Sequence, residues 1–381
     1  MIRLKVNIAG VGMIKVSEHW DKSIVDLATE AGLRALEDAN VKHVDYLIIS
    51  NMSGVFNNCQ SDLAVAIADN LGLLRIPTYR VDAACGSGGA AVNLAYNIVK
   101  STGKRVLVIG VEKLSDSVTT VNTSSMMLAE DWTTGLVSGG TFVSLNALAL
   151  KYYLTRYRAN HDKIMMLPVI EHKNATKNPY AQFRREITLD MVKRSPYIAD
   201  PLHLLECSAY GDGAAAVVLD VNKGNVEILA SEVTTDAFRI ANRDNPARFN
   251  AVFEAVKRAY SKSKITNKDI DIIEIHDAFS ITGVIALEEL GFADFGEGWK
   301  LISEEKIGLN GDLPTNTFGG LKARGHPVGA TGIYQIAEIA LQLRSDAGDN
   351  QVDGARIGLA ENIGGIATTA VIHILRKKEM I

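Results

Sequence analysis

Cysteine is scarce in this sequence: Cys59, Cys85 and Cys207 are the only three in 381 residues. They are too few and too scattered for a disulfide framework or a metal-finger pattern, which predicts a reducing, cytoplasmic setting and no structural metal. Charge of one sign is lacking too. The 40 Lys and Arg against 44 Asp and Glu leave a net charge of −4, which argues against nucleic-acid and membrane-surface binding, since both rest on a basic excess. Met1-Ile-Arg-Leu-Lys-Val lacks the apolar stretch of a secretion signal, and no apolar run is long enough to span a bilayer without polar interruption. Proline is sparse, 8 residues against 32 glycines, a balance that suits an α/β protein rich in strand-to-helix turns.

What is present is a regular alternation. Apolar runs at 6–14, 44–50, 78–83 and 104–112 read as strands, with helical periods at 23–39 and 61–71 between them. That alternation implies a parallel sheet covered by helices. Gly10 and Gly12 resemble the start of a dinucleotide fingerprint, but Lys15 stands where its third glycine would fall, so a plain turn is the better reading. From about 115 to 200 the pattern weakens into a long loop excursion. Its basic residues, running from Lys151 to Arg194, could hold ligand phosphates, although a solvated face is the commoner meaning of such a run. After a strand at 214–220 the order begins again, with strands at 225–231, 271–276, 356–361 and 366–374 and a helix at 248–262. Two similar α/β halves follow: 1–222, carrying the insertion, and 223–381.

The chemistry-bearing residues lie at the turns. Val81-Asp-Ala-Ala-Cys-Gly-Ser-Gly-Gly-Ala-Ala91 reads as a strand turning into a helix with Cys85 at the corner. A thiol there faces the positive end of a helix and unpaired N–H groups, so its thiolate is expected to be favoured. The alternative is a buried thiol acting as a small hydrophobe. In the second half, His276-Asp-Ala-Phe279 and Glu361-Asn-Ile-Gly-Gly365 end strands, and Gly325-His-Pro-Val-Gly-Ala-Thr-Gly332 opens a helix near Ala330. Catalytic groups in such sheets gather beyond the carboxyl ends of strands, so these stretches are expected to converge with Cys85 between the halves. His326, held in its turn, would take the thiol proton. His276 is the second candidate, against the plain reading of a satisfied core histidine.

Taken together, the Cys85 turn, Tyr210-Gly-Asp-Gly-Ala-Ala-Ala, the stretch Asn316 to Gly332 and Asn362-Ile-Gly-Gly365 resemble the thiolase superfamily from end to end. His276-Asp-Ala-Phe279 is similar to the sterol-carrier-type and archaeal members. The resemblance implies a thiolase-like α/β fold, two duplicated halves with stacked mixed sheets and helices in layers. It implies acetyl-CoA C-acetyltransferase chemistry, a reversible Claisen condensation of acetyl-CoA to acetoacetyl-CoA and CoA through an acetyl-cysteine at Cys85. His326 would activate Cys85 and, with a water placed by His276, bind the enolate oxygen, while the backbone N–H groups of Cys85 and Gly364 would form the other oxyanion hole. No cofactor is implied beyond the coenzyme A thioesters, and no residue is matched to the CoA phosphates. A homodimer or homotetramer, and a complex with hydroxymethylglutaryl-CoA synthase and a small OB-fold protein feeding mevalonate synthesis, are further expectations.

One departure stands out. Most thiolases carry a second cysteine where this chain has Asn362, and sterol-carrier-type members can place one where it has Ala278. Asparagine is no base at neutral pH. Either His276 takes the α-proton, or Cys207 folds back into the site, or the chain is not a competent thiolase; the sequence favours His276 and a structural Cys207. Two other readings are a different cysteine-dependent condensing enzyme, of the ketoacyl or hydroxymethylglutaryl-CoA synthase type, and a non-catalytic acyl-CoA-binding subunit.

Overall fold

Runs of Val, Ile, Leu and Ala with no polar alternation belong in strands covered on both faces. Val106–Glu112 and Gly213–Asp220 are such strands, buried at every residue. The computed structural model describes residues 4–379 and places these two at the centre of one half of a nine-stranded mixed sheet. Its strands are β1 (Asn7–Met13), β2 (Tyr46–Ser50), β3 (Thr78–Val81), β4 (Val106–Glu112), β5 (Gly213–Asp220), β6 (Val226–Thr235), β7 (Ile272–Glu274), β8 (Ile357–Gly364) and β9 (Thr369–Lys377).

The spatial order is β3-β2-β4-β5-β1-β6-β9-β8-β7. Strands β2, β3 and β4 pair in parallel, as does β7 with β8, while β5 and β9 run antiparallel to their neighbours. The sheet is therefore mixed where strand-helix alternation alone implied a parallel one. A short antiparallel contact, Asn7 with Glu227 and Ile8 with Val226, links the two half-sheets edge to edge. Their orders correspond, β2-β4-β5-β1 against β7-β8-β9-β6, and the place of β3 is taken in the second half by Thr315, bridged to Ile273.

Helices α1 (Ile24–Asp38) and α2 (Leu63–Asn70) cover the outer face of the first half, sharing an apolar cluster with β2, β4 and β5. Ser23 caps α1 by accepting the Asp26 N–H, and Asp26 returns the bond to the Ser23 N–H. Helix α3 (Ser87–Thr102) shares one core with the late helix Thr331–Arg344 and with strands of both halves. The insertion is helical rather than a loop. Within it α4 (Phe142–Tyr157) is capped by Thr141, and α5 (Met166–Ala175) buries most of its length against the Gly320–Arg324 turn. Helices α6 (Asn250–Ser263) and α7 (Ser280–Glu289) cover the outer face of the second half. Helix α8 (Thr331–Arg344) is buried almost all round, as a helix packed among the strands of both half-sheets and α3 must be. Among the described residues no helix is long and apolar enough to cross a membrane.

Candidate active site

The corner between β3 and α3 is built by two devices. Ala84 sits at φ +54°, a left-handed conformation that turns the chain sharply before Cys85. The Ser87 hydroxyl then locks the turn, accepting the Ala83 N–H at 2.8 Å and donating to the Ala84 carbonyl. Gly88 allows α3 to approach α8, since a Cβ there would lie 2.8 Å from the Gly332 nitrogen. Gly364 fits beneath the same corner, where a Cβ would meet the Ala83 oxygen at 2.0 Å.

Cys85 is buried, and its thiol is not favoured as a thiolate. Burial, with Glu112 and Asp82 nearby, pushes it up to about 12. The expected benefit of the α3 N-terminus is outweighed because Leu114, Met126 and Val328 close an apolar shell over the sulfur. A base must therefore remove the proton as the sulfur attacks.

His326 offers a free lone pair. His326 Nδ1 lies 2.7 Å from the Thr331 hydroxyl, which in turn donates to the Pro327 carbonyl at 3.3 Å. The hydroxyl proton being used there, Nδ1 carries the ring proton and Nε2 a bare lone pair. Burial first, then the Arg324 guanidinium, holds His326 down at about 3, so the ring is neutral and able to accept a proton.

His276 has the opposite tautomer. The Gly89 N–H donates to Asn362 Oδ1 at 3.0 Å, which fixes the amide's orientation. Asn362 Nδ2 then donates to the Cys85 carbonyl at 3.2 Å and to His276 Nδ1 at 3.0 Å. With Nδ1 accepting, the proton of the neutral ring sits on Nε2. Burial, His326, Arg324 and Lys322 keep His276 well below its usual value, hence uncharged. With Nδ1 occupied by Asn362, His276 in this tautomer presents Nε2–H to the cavity, the form suited to holding an oxyanion, whereas the expected removal of the α-proton needs a bare ring nitrogen. Its ring meets that of His326 edge-on, with centroids 5.0 Å apart.

Cys85 Sγ and one ring nitrogen from each histidine lie within 4.8 Å of one another. A soft metal ion could use these donors only by displacing the His276 Nε2 proton. All three residues line an apolar cavity of about 80 Å³, walled by Phe142, Phe279 and Ile366 among others. Cys207 lies in the same wall.

Sequence reasoning assigned no role to the residues that hold this arrangement. The Glu112 carboxylate accepts from the N–H groups of Met52, Ser53 and Gly329 at 2.9–3.0 Å, tying the end of β4 to the His326 turn. Asn316 accepts the Ile275 N–H and donates to Glu171 and Asp277. Lys322 bridges Glu171 and Asp277 behind His276. A charged residue closing an otherwise apolar strand, as Glu112 closes β4, was the available signal.

A family model described as the thiolase N-terminal domain matches residues 6–223, and one described as thiolase C-terminal domain-like matches 232–377. The chain belongs to the thiolase family. Among its relatives, this thiolase is 41% identical to an acetyl-CoA acetyltransferase of Methanothermobacter thermautotrophicus, over 98% of this chain and 99% of the other. It is 34% identical to sterol carrier protein 2 of Bos taurus, over 95% of this chain and 70% of that one. Among solved structures, the Ltp2-ChsH2(DUF35) aldolase superposes with a TM-score of 0.87 at 25% identity, covering 100% of this thiolase and 99% of that chain.

In this thiolase Asn362→Asp tests the tautomer assignment. A carboxylate would keep the Gly89 bond but accept from His276 Nδ1, stripping Nε2 of its proton. Turnover is expected to fall by about a hundred- to a thousandfold, the usual effect of losing one oxyanion donor. Steady-state kinetics with wild-type turnover in this variant would contradict the assignment.

Proposed function

We propose that this chain is an acetyl-CoA C-acetyltransferase. The observation that carries the reading is the pairing of a buried thiol with two neutral imidazoles of opposite tautomer in one apolar cavity. In the proposed reaction Cys85 attacks the acetyl-CoA carbonyl while His326 Nε2 takes its proton, and CoA leaves. The N–H groups of Cys85 and Gly364 are proposed to bind the tetrahedral oxyanion. His276 Nε2–H is proposed to hold, directly or through a water, the enolate oxygen of a second acetyl-CoA, which attacks acetyl-Cys85 to give acetoacetyl-CoA. The acetyl-CoA acetyltransferase relative at 41% identity supports this substrate.

Condensation of two thioesters is thermodynamically uphill, so the product needs a consuming step. Hydroxymethylglutaryl-CoA synthase is the proposed consumer, with a small OB-fold protein in the complex. The similarity to the Ltp2-ChsH2(DUF35) aldolase, in which the thiolase-like chain is named together with a DUF35 protein, supports assembly with a second protein. A homodimer or homotetramer is proposed through the first-half sheet, whose terminal strand β3 leaves one edge free of further strands in the order.

The test is CoA-dependent cleavage of acetoacetyl-CoA. Loss of the substrate with acetyl-CoA as the sole product is expected. Thioester binding without cleavage would favour the binding-subunit reading, and hydroxymethylglutaryl-CoA formed from acetyl-CoA plus acetoacetyl-CoA would favour a synthase.

A further inference from the structure

The group carried by Cys85 shares one cavity with the acetyl end of the second thioester, so the walls of that cavity decide how large the group can be. The volume is about 80 Å³. A water-sized group needs about 10–15 Å³ of such space, which leaves room for about six heavy atoms. Acetyl has three and leaves space for water or for a second acetyl; butanoyl has five and leaves space for neither. Cys85, His276 and His326 hold one side of the cavity, and the exposed Tyr210 marks its mouth. A longer acyl chain therefore runs against the wall that α4 supplies through Phe142, Val143 and Asn146.

Asn146 is out of character with that wall. It is 1% exposed, and it stands among Phe142, Val143, Phe279 and Ile366. One end of its amide is used: Nδ2 donates back to the Phe142 carbonyl at 2.9 Å, which fixes the amide's orientation. Among the described residues nothing donates to Oδ1, and the oxygen is not sealed off, so it opens on the cavity. The Phe142 ring, one turn earlier on the same face of α4, packs against Phe279 with centroids 6.5 Å apart. The carbonyl is thus framed by apolar groups that offer it no hydrogen.

We infer that Asn146 sets the acyl chain length, confining the group on Cys85 to acetyl by presenting an unpaired carbonyl to any longer alkyl chain. Beside acetyl, water can donate to Oδ1. Butanoyl displaces that water and has no hydrogen to give in return, and a buried acceptor left unpaired is penalised by about five- to a hundredfold. In cleavage Cys85 adds to the C3 carbonyl of a 3-ketoacyl-CoA and the C2–C3 bond breaks. Acetyl-CoA leaves with the proton that Cys85 gave up, and the acyl group passes from sulfur to free CoA, whose thiol proton returns to Cys85. That acyl group is acetyl from acetoacetyl-CoA and butanoyl from 3-ketohexanoyl-CoA.

This inference rests on the acetyl-transfer reading, and the test separates the two. The kcat/KM for CoA-dependent cleavage of acetoacetyl-CoA and of 3-ketohexanoyl-CoA is measured for wild type, Asn146→Leu and Asn146→Asp. Taking the ratio of the two substrates within each protein cancels any loss of folded enzyme. Wild type is expected to prefer acetoacetyl-CoA. N146L, which keeps the size of the side chain and removes its oxygen, should raise the 3-ketohexanoyl to acetoacetyl ratio by about five- to a hundredfold; N146D, which keeps an acceptor there, should not raise it. An unchanged ratio in N146L, an equal rise in N146D, or a wild type indifferent to chain length would overturn the role of Asn146 and leave acetyl transfer standing. A wild type that cleaves neither substrate would overturn both.

Discussion

Replacing Cys85 with alanine is expected to abolish acetyl transfer, lowering acetoacetyl-CoA cleavage by about four orders of magnitude or more. The sulfur is the group within 4.8 Å of both imidazoles that can form a thioester, and the loss should be entirely in turnover. The cavity wall is otherwise kept, so acetyl-CoA should still bind. Cys85→Ser should be nearly as inactive, because a hydroxyl in the same apolar shell of Leu114, Met126 and Val328 is harder still to deprotonate than the thiol. Stopped-flow cleavage of acetoacetyl-CoA by wild type and both variants checks this. Comparable rates in wild type and C85A would place the chemistry elsewhere.

His326→Ala is expected to slow acetylation of Cys85 by about a hundred- to ten-thousandfold, the range of one general base. The pH profile distinguishes this from a structural loss. His326 held at about 3 is a free base at every pH above that value, and His276 lies well below its usual value too. Wild-type acetylation should therefore run flat from about pH 5 to 8, with no acid limb at the ordinary histidine value near 6.5. Without His326 the reaction must use thiolate formed in solution equilibrium. Because the thiol is pushed up to about 12, the variant's rate should rise about tenfold per pH unit across the same window. Rapid-quench acetylation across this range checks both profiles; a wild-type acid limb near pH 6.5 would mean that His326 is not held neutral as its burial and Arg324 require.

Much of this was legible in the sequence because it is written locally. Strand and helix periods placed β1, β2, β4 and α1 within a few residues of where they lie, and the repeated order of elements foreshadowed the matching half-sheets. Cys85 and His326 stood out because glycines flank them, marking turns where a side chain is held rather than free. What escaped was written across the chain. The Asn362 amide that sets the His276 tautomer is oriented by an N–H 273 residues away, at Gly89. Glu112 reaches the His326 turn across 217 residues. The favoured thiolate was a sound inference from the α3 N-terminus, which is a local feature; the apolar shell that reverses it comes from distant segments and has no local signature. The place of Cys207 in the cavity wall likewise depends on a long-range bridge, to Phe279. The insertion at 115–200 lacked strand period because α4 and α5 occupy it, their apolar sides spread around helices rather than alternating.

The central claim, that Cys85 carries the acetyl group, is tested most directly by intact-protein mass spectrometry with peptide mapping after incubation with acetyl-CoA and again after adding free CoA. A single acetyl adduct on the peptide bearing Cys85, discharged by CoA and absent in C85A, is the expected result. No adduct, or an adduct on Cys207 that persists in C85A, would contradict it.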